Sequence, residues 1–321
     1  MRRLALFGGL SLSKEDFESR LASAGEAMET LLQELLASKP LPREIDRPER
    51  LIEAMRYAAL GGGKRLRPLL VRESARVFGA EGPGILRAAA SVELIHCYSL
   101  VHDDLPAMDD DDLRRGRPTT HRAYDEATAV LVGDSLLTLA FDVLADEQTD
   151  PDSDVRVDLI ATLARASGIG GMAGGQMLDL EAEGRFTADA KPLVLTEEDI
   201  LRLQAMKTGA LLTASAEMGA IIGRADAQGR AALRDYGHLL GQAFQIADDL
   251  LDVESDAATL GKATGKDSSM GKATLVGLWG VDAARERLAG LVAEAEKALE
   301  CLGERGGALR QAARFVAERK S

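Results

Sequence analysis

Two segments of this chain, residues 85–101 (ILRAAASVELIHCYSLV) and 239–253 (LLGQAFQIADDLLDV), are apolar around most of a helix's circumference, yet paired aspartates follow the first and interrupt the second. A helix without a polar face belongs inside a bundle, not on its skin. Elsewhere apolar residues recur at three and four positions, while alternating strand-like runs and Asn-Gly hairpin signals are missing. The expectation is an all-α fold forming a single helical domain over residues 1–321. With 46% hydrophobic residues in 321, the chain has ample material for such a core, which excludes a disordered protein.

Breaks between helices are expected at residues 38–48, 61–63, 79–84, 146–154, 183–192 and 257–271, where Pro, Gly and Asp gather. A third helix is announced by Thr196 as N-cap and runs through residues 201–222, carrying Lys207 and Thr208 ahead of Gly209. The net charge of -13 leaves no broad basic surface for nucleic acid, so a polyanionic ligand must be met by local charge or metal. Cys97 and Cys301 stand far apart, against structural zinc or a disulfide framework. Arg2 and Arg3 followed by apolar residues 4–12 look faintly like an export signal, but Lys14, Glu15 and Asp16 follow at once. The longest candidate membrane run, residues 130–145, is interrupted by Asp134 and Asp142. A cytoplasmic protein with no stable membrane insertion is the default.

The first acidic cluster reads Asp103, Asp104, then Asp109 to Asp112, with Arg114 and Arg115 after it; the second reads Asp248, Asp249 and Asp252. Asp248 and Asp252 share a helix face, with Gln245 one turn before. Pro106 disfavours helix, so Asp103 should end one, with Asp109 folded back beside it. Acidic runs are commonly solvated surface. Aspartates embedded in apolar helices instead need a partner, because like charges about 4 Å apart cost on the order of 4 kcal/mol at an effective dielectric of 20. All-oxygen ligands suit Mg2+, with Mn2+ as a substitute, and Mg2+ completes its shell with water and substrate phosphates. That points to a diphosphate. Cations to meet it stand in residues 61–68 (GGGKRLRP), at Arg114 and Arg115, and at Lys207, Lys262, Lys266 and Lys272. Neither residues 61–67 nor 261–274 satisfy the P-loop pattern, and no strand precedes them. The alternative for residues 61–63 is a plain helix stop with solvated bases.

Taken together, GGGKRLRP at 61–68, IHCYSLVHDDLPAMDDDDLRRGRPTTH at 95–121, GGQMLDLE at 174–181, KTG at 207–209, FQIADDLLD at 244–252 and LGKATGKD at 260–267 resemble the trans-prenyl diphosphate synthase family, and within it the bacterial farnesyl diphosphate synthases. The resemblance implies an isoprenoid-synthase type bundle around a deep central cavity, and a homodimer. It implies that Asp103, Asp109 and Asp248 ligate Mg2+ on an allylic diphosphate, with Asp104 and Asp252 in support. Arg114, Lys207 and Lys262 would neutralise that diphosphate. Lys64, Arg67, His96 and Arg115 would hold isopentenyl diphosphate, and Thr208 and Gln245 would turn oxygens toward the developing carbocation. Heterolysis of an allylic carbon–oxygen bond needs the leaving diphosphate stabilised more in the transition state than before it, and the cation shielded from water.

Several positions read two ways. His96 suits a core histidine as well as a substrate ligand, and His102, His121 and His238 read as structural. Gln176 and Asp179 lie near the site by motif, though Asp179 could pair with a surface base. Tyr98, five residues before Asp103, is placed as a floor that stops the growing chain, which in the resembling enzymes goes with a fifteen-carbon product. Ser99 beside it would leave room for a twenty-carbon, geranylgeranyl, product. A terpene cyclase would use asparagine in its second metal motif, and this chain has none. A metal-dependent phosphohydrolase fits His96, His102 and Asp103 but leaves the second acidic cluster unexplained.

Overall fold

The computed structural model describes the backbone of residues 14–260 and 274–318, with side chains over 16–253 and 274–318. Helices α1 (Lys14–Leu35), α2 (Glu49–Ala59), α3 (Leu66–Val77) and α4 (Pro83–Asp103) lead to a two-residue ladder, β1 (Leu113–Arg114) against β2 (Arg117–Pro118). There follow α5 (Thr120–Ala123), α6 (Glu126–Ala145), α7 (Ser153–Ser167), α8 (Met172–Ala182), α9 (Glu197–Gln204) and, across a π-helical turn at Ala205–Gly209, α10 (Ala210–Ile222). The last described elements are α11 (Ala227–Leu260), α12 (Leu275–Trp279), α13 (Val281–Ala298), a 3-10 segment at Glu300–Gly306, and α14 (Gly307–Glu318).

The all-α reading holds, with one small correction. The ladder pairs Leu113 with Pro118 and Arg114 with Arg117 antiparallel. Its two-residue connection, Arg115-Gly116, has φ of 53° and 74°, the left-handed pair of a type I′ turn. Arg-Gly serves here where the pattern sought was Asn-Gly.

Five of the expected breaks coincide with gaps between helices, two of them (79–84 and 146–154) running two residues into α4 and α7. The sixth begins too early, since α11 continues to Leu260, and the rest of that segment lies outside the described residues. Breaks after α7, after α10 and on either side of α13 carry no proline and were not anticipated, although glycines mark them: Gly168, Gly170 and Gly171 after α7, Gly223 after α10, Gly280 before α13 and Gly303 after it.

Two hydrophobic cores share a pair of helices. Val71 and Ala75 of α3 with Leu211, Met218 and Ile221 of α10 face the core built on α4 and α6. Leu69 and Leu70 of α3 with Leu212, Ala216 and Ala220 of α10 face the core built on α11, α13 and α14. That two-sided burial explains why α10 is almost uniformly apolar. Helices α4 and α6 are long and apolar enough to cross a membrane by composition, yet 61% and 44% of those windows are buried inside the fold. Their apolar surface is spent chiefly on each other, with α3 and α1 also against α4, and α2 and α7 also against α6.

Covering is uneven along α4. Residues 88–95 are fully buried, whereas Tyr98, Ser99, Leu100, His102 and Asp103 are only partly so. The last two turns of α4 therefore border the space in which the acidic segment sits.

Candidate active site

Helix α4 stops where Pro106 demands it. The chain then folds back: the Asp109 N–H donates to the Asp103 carbonyl at 2.8 Å and the Met108 N–H to Leu105 at 2.8 Å. Asp109 thus stands beside Asp103, as the spacing implied. Asp104 is turned the other way. It is buried and accepts from Arg114 at 2.6 Å, while Thr119 ties the segment down by donating its hydroxyl to the Asp111 carbonyl at 2.8 Å.

The facing wall starts from the expected cap at Thr196, a full capping box with Asp199. Its π-helical turn carries Lys207 and Thr208, and turns of this kind sit frequently at functional sites. Lys207 Nζ donates to Asp179 Oδ2 at 2.5 Å, which decides between the two readings of Asp179. Two glycines bring the walls together. A Cβ on Gly175 would stand 2.2 Å from the Lys207 backbone nitrogen, and one on Gly241 of α11 would stand 2.8 Å from Gly209 Cα. Gln245, half-buried, lies one turn beyond Gly241 on the same face of α11.

Burial pushes the Asp103 carboxyl up to about 6; Asp109 and Asp104 push the same way, while Lys207 and Arg114 oppose. A partly buried carboxylate crowded by like charge is what a divalent cation relieves, and the neighbouring Asp104 and Asp109 offer carboxylate oxygens. Among the described residues no three Asp, Glu, His or Cys side chains stand close enough to hold a metal by themselves. Water and phosphate oxygens would have to complete the shell, as is usual for Mg2+.

On α11, Asp248 is half-buried and Asp252 exposed. Asp249 is buried, accepts from Gln204 Nε2 at 3.2 Å and from the Leu275 N–H, and burial pushes its carboxyl up to about 6. It anchors α11 to α9 and α12. Nothing in the sequence separated Asp249 from its neighbours except helical phase, which sets it about 100° from Asp248 and toward the core.

The second cation group gathers beside α4. Arg65, in a left-handed backbone conformation at φ 50°, is buried against Glu93 at 2.5 Å, Glu29 at 3.1 Å and the Ala59 carbonyl at 2.7 Å. It fixes the loop, leaving Lys64 exposed and Arg67 half-buried on either side. The Nε of Arg67 is buried without a hydrogen-bond partner. The Arg115 guanidinium lies over the loop, where a Cβ on Gly63 would meet it at 2.8 Å. Burial holds His96 well below the usual histidine range, and the charges of Arg67 and Arg115 push it further down. Arg67, Arg115 and His96 thus stand within one another's field, and Asp248 acts on Arg67 from α11.

Of the remaining candidates, Tyr98 is half-buried and stacks edge-on to His102 at 5.9 Å. His102 is itself within hydrogen-bond distance of the Val130 carbonyl, 3.1 Å. Ser99 donates its hydroxyl to the His96 carbonyl at 3.0 Å. Thr208 is half-buried. Lys262, with Lys266 and Lys272, lies outside the described residues. Sequence reasoning named Arg65 and Asp249 only as members of charged runs, without their anchoring roles, and missed Gln204 and Arg185, which lie outside every motif it used.

An acidic segment folded back at a helix end, faced by a lysine from a π-helical turn and flanked by an arginine–histidine group, is the geometry with which the family comparison agrees. The polyprenyl synthetase family model matches residues 48–304, and the chain belongs to that family. It is 44% identical to the farnesyl diphosphate synthase of Escherichia coli (strain K12), over 95% of this chain and 99% of that protein. It is 41% identical to the farnesyl diphosphate synthase of Geobacillus stearothermophilus, over 96% and 98% of the two chains. Among solved structures, an FPP/GFPP synthase from Zymomonas mobilis superposes with a TM-score of 0.83 at 42% identity, covering 95% of this chain and 100% of that one.

Proposed function

We infer that this chain is a prenyltransferase that condenses isopentenyl diphosphate with dimethylallyl and then geranyl diphosphate, giving farnesyl diphosphate and inorganic diphosphate. The observation that carries this reading is the presence of two distinct anion sites. One is built from Asp103, Asp109 and Lys207, where a cation is wanted; the other from Arg67, Arg115 and His96, where positive charge gathers and Glu93 and Asp248 act on Arg67 from beside it.

In this reading Mg2+, with Mn2+ as a substitute, is held by Asp103, Asp109 and Asp248 and supplies charge to the departing diphosphate when bound. Asp104 supports from behind by fixing Arg114, and Asp252 through water. Arg114, Lys207 and Lys262 meet the allylic diphosphate. Lys207 is kept in place by Asp179, so its ammonium is oriented before substrate arrives. Lys64, Arg67, Arg115 and neutral His96 hold isopentenyl diphosphate. The allylic carbon–oxygen bond breaks with its electron pair on the leaving oxygen, the double bond of isopentenyl diphosphate attacks, and the released diphosphate takes the proton lost. Thr208 and Gln245 turn oxygen dipoles toward the transient cation. A single helical unit over the whole chain, acting as a homodimer in the cytoplasm, completes the proposal.

A twenty-carbon product is the second reading. What favours it is the small side chain of Ser99 beside Tyr98, whose hydroxyl turns back to the His96 carbonyl of its own helix; what favours fifteen carbons is the bulk of Tyr98 itself. The test is elongation with and without Mg2+, with Asp103→Ala and Asp248→Ala beside the parent. Both variants should lose at least about a hundredfold in kcat, as expected for removed electrostatic stabilisation of a leaving group. Variants that elongate like the parent would sink the assignment of the acidic segments.

A further inference from the structure

The turn that carries Asp109 is clamped from outside the acidic segment. Arg185, three residues past the end of α8, donates Nη1–H to the Ala107 carbonyl at 2.9 Å and Nη2–H to the Met108 carbonyl. Its Nε is 3.3 Å from Glu183, and the side chain is about one-third exposed. The other ends of the same two peptide units are also bonded. The Met108 N–H, in the unit whose carbonyl is Ala107, donates to Leu105; the Asp109 N–H, in the unit whose carbonyl is Met108, donates to Asp103. Two consecutive peptide planes are therefore held at both ends, and the second of them sets the direction in which the Asp109 side chain departs.

We propose that Arg185 is a positioning residue of the diphosphate site, fixing Asp109 relative to Asp103 through the backbone between them. This rests on the reading of Asp103 and Asp109 as metal ligands, although the clamp itself does not. A guanidinium suits the task because its rigid fork can span two successive carbonyls, which a lysine ammonium cannot do with the same geometry. The arrangement also makes α8 and its extension a common support: Asp179 orients Lys207 on one side of the site, and Arg185 orients the acidic turn on the other. Residues that orient metal ligands without touching the metal typically change metal affinity by about 10- to 100-fold when removed.

The test compares the parent with Arg185→Ala and Arg185→Lys by two readouts. The first is amide hydrogen exchange at Met108 and Asp109 in metal-free protein. The second is the Mg2+ concentration giving half-maximal elongation, separated from kcat at saturating Mg2+. For Arg185→Ala the expected result is exchange at both amides faster by about tenfold, a Mg2+ midpoint raised by about tenfold, and a kcat at saturating Mg2+ within about twofold of the parent. Arg185→Lys should fall between the two. Unchanged exchange at both amides with an unchanged Mg2+ midpoint would overturn the proposal. So would a collapse of kcat that added Mg2+ does not restore, since Arg185 would then act on substrate and not through Asp109. If the parent elongates no allylic diphosphate, the functional reading fails; the exchange rates still decide whether Arg185 holds the turn.

Discussion

Tyr98 stands on the part of α4 that its neighbours leave half-covered, with its ring edge-on to His102 and five residues before Asp103. If a growing isoprenoid runs down this face, the phenol ring is the first bulky obstacle. Tyr98→Ala is therefore expected to shift the product toward twenty carbons or more without abolishing turnover, read as chain length by mass spectrometry. An unchanged fifteen-carbon product would place the floor elsewhere. His96 makes a different prediction. Its folded-state pKa is depressed by burial and by Arg67 and Arg115, while in the unfolded chain it is near 6.5. The unfolded chain thus takes up more protons below that pH, so stability is present above about 6.5 and lost as pH falls toward the folded value. Between about pH 7 and 5.5 the urea midpoint of the parent should fall faster than that of His96→Gln, and parallel curves would contradict the burial of a neutral imidazole. The residue scale is also where sequence is least informative: Lys64, Arg65 and Arg67 carry the same charge in GGGKRLRP, and only the fold shows that Arg65 turns inward to Glu93 and Glu29.

At the scale of elements, local chemistry was legible wherever one residue dictates backbone geometry. Pro106 ended α4 at Asp103, and Thr196 with Asp199 opened α9. The π-helical turn at Lys207 was not legible, because the phase shift of about 100° that an extra residue brings leaves no mark when the helix that follows, α10, is almost uniformly apolar. The short β1–β2 pair was missed for a related reason: its turn is set by two left-handed residues and not by an apolar alternation. The glycine pair in GGQMLDLE was recognised as a motif, but its physical role appears only in the packing. Gly175 allows α8 to press on the π-helical turn at the Lys207 backbone. Gly175→Val should cost roughly 1–3 kcal/mol by overpacking and impair turnover beyond what that loss explains, since Asp179 and Lys207 would part. A variant with parental stability and activity would show that the approach of α8 does not position Lys207.

Across the whole molecule, the two cores meet along α3 and α10, so the two acidic segments are carried by helices on opposite sides of a shared spine. The fold class was readable because α4 and the 239–253 stretch of α11 are apolar around most of their circumference, which leaves few arrangements other than a bundle with them inside. The homodimer is implied by the family resemblance and was not read from any periodicity; among the described residues, exposed apolar side chains such as Val130 and Leu131 of α6 and Val157 of α7 stand beside polar ones. A homodimer should sediment at twice the 34.2 kDa of one chain, and a mass of one chain at micromolar concentration would contradict it. The most direct measurement is elongation by the purified protein with Mg2+, isopentenyl diphosphate and geranyl diphosphate, with the product resolved by mass. Farnesyl diphosphate as the dominant product, lost on chelation of Mg2+, is the expected result. No elongation of either geranyl or dimethylallyl diphosphate under these conditions would contradict the assignment of Asp103, Asp109, Asp248 and Lys207 to a diphosphate-ionising site.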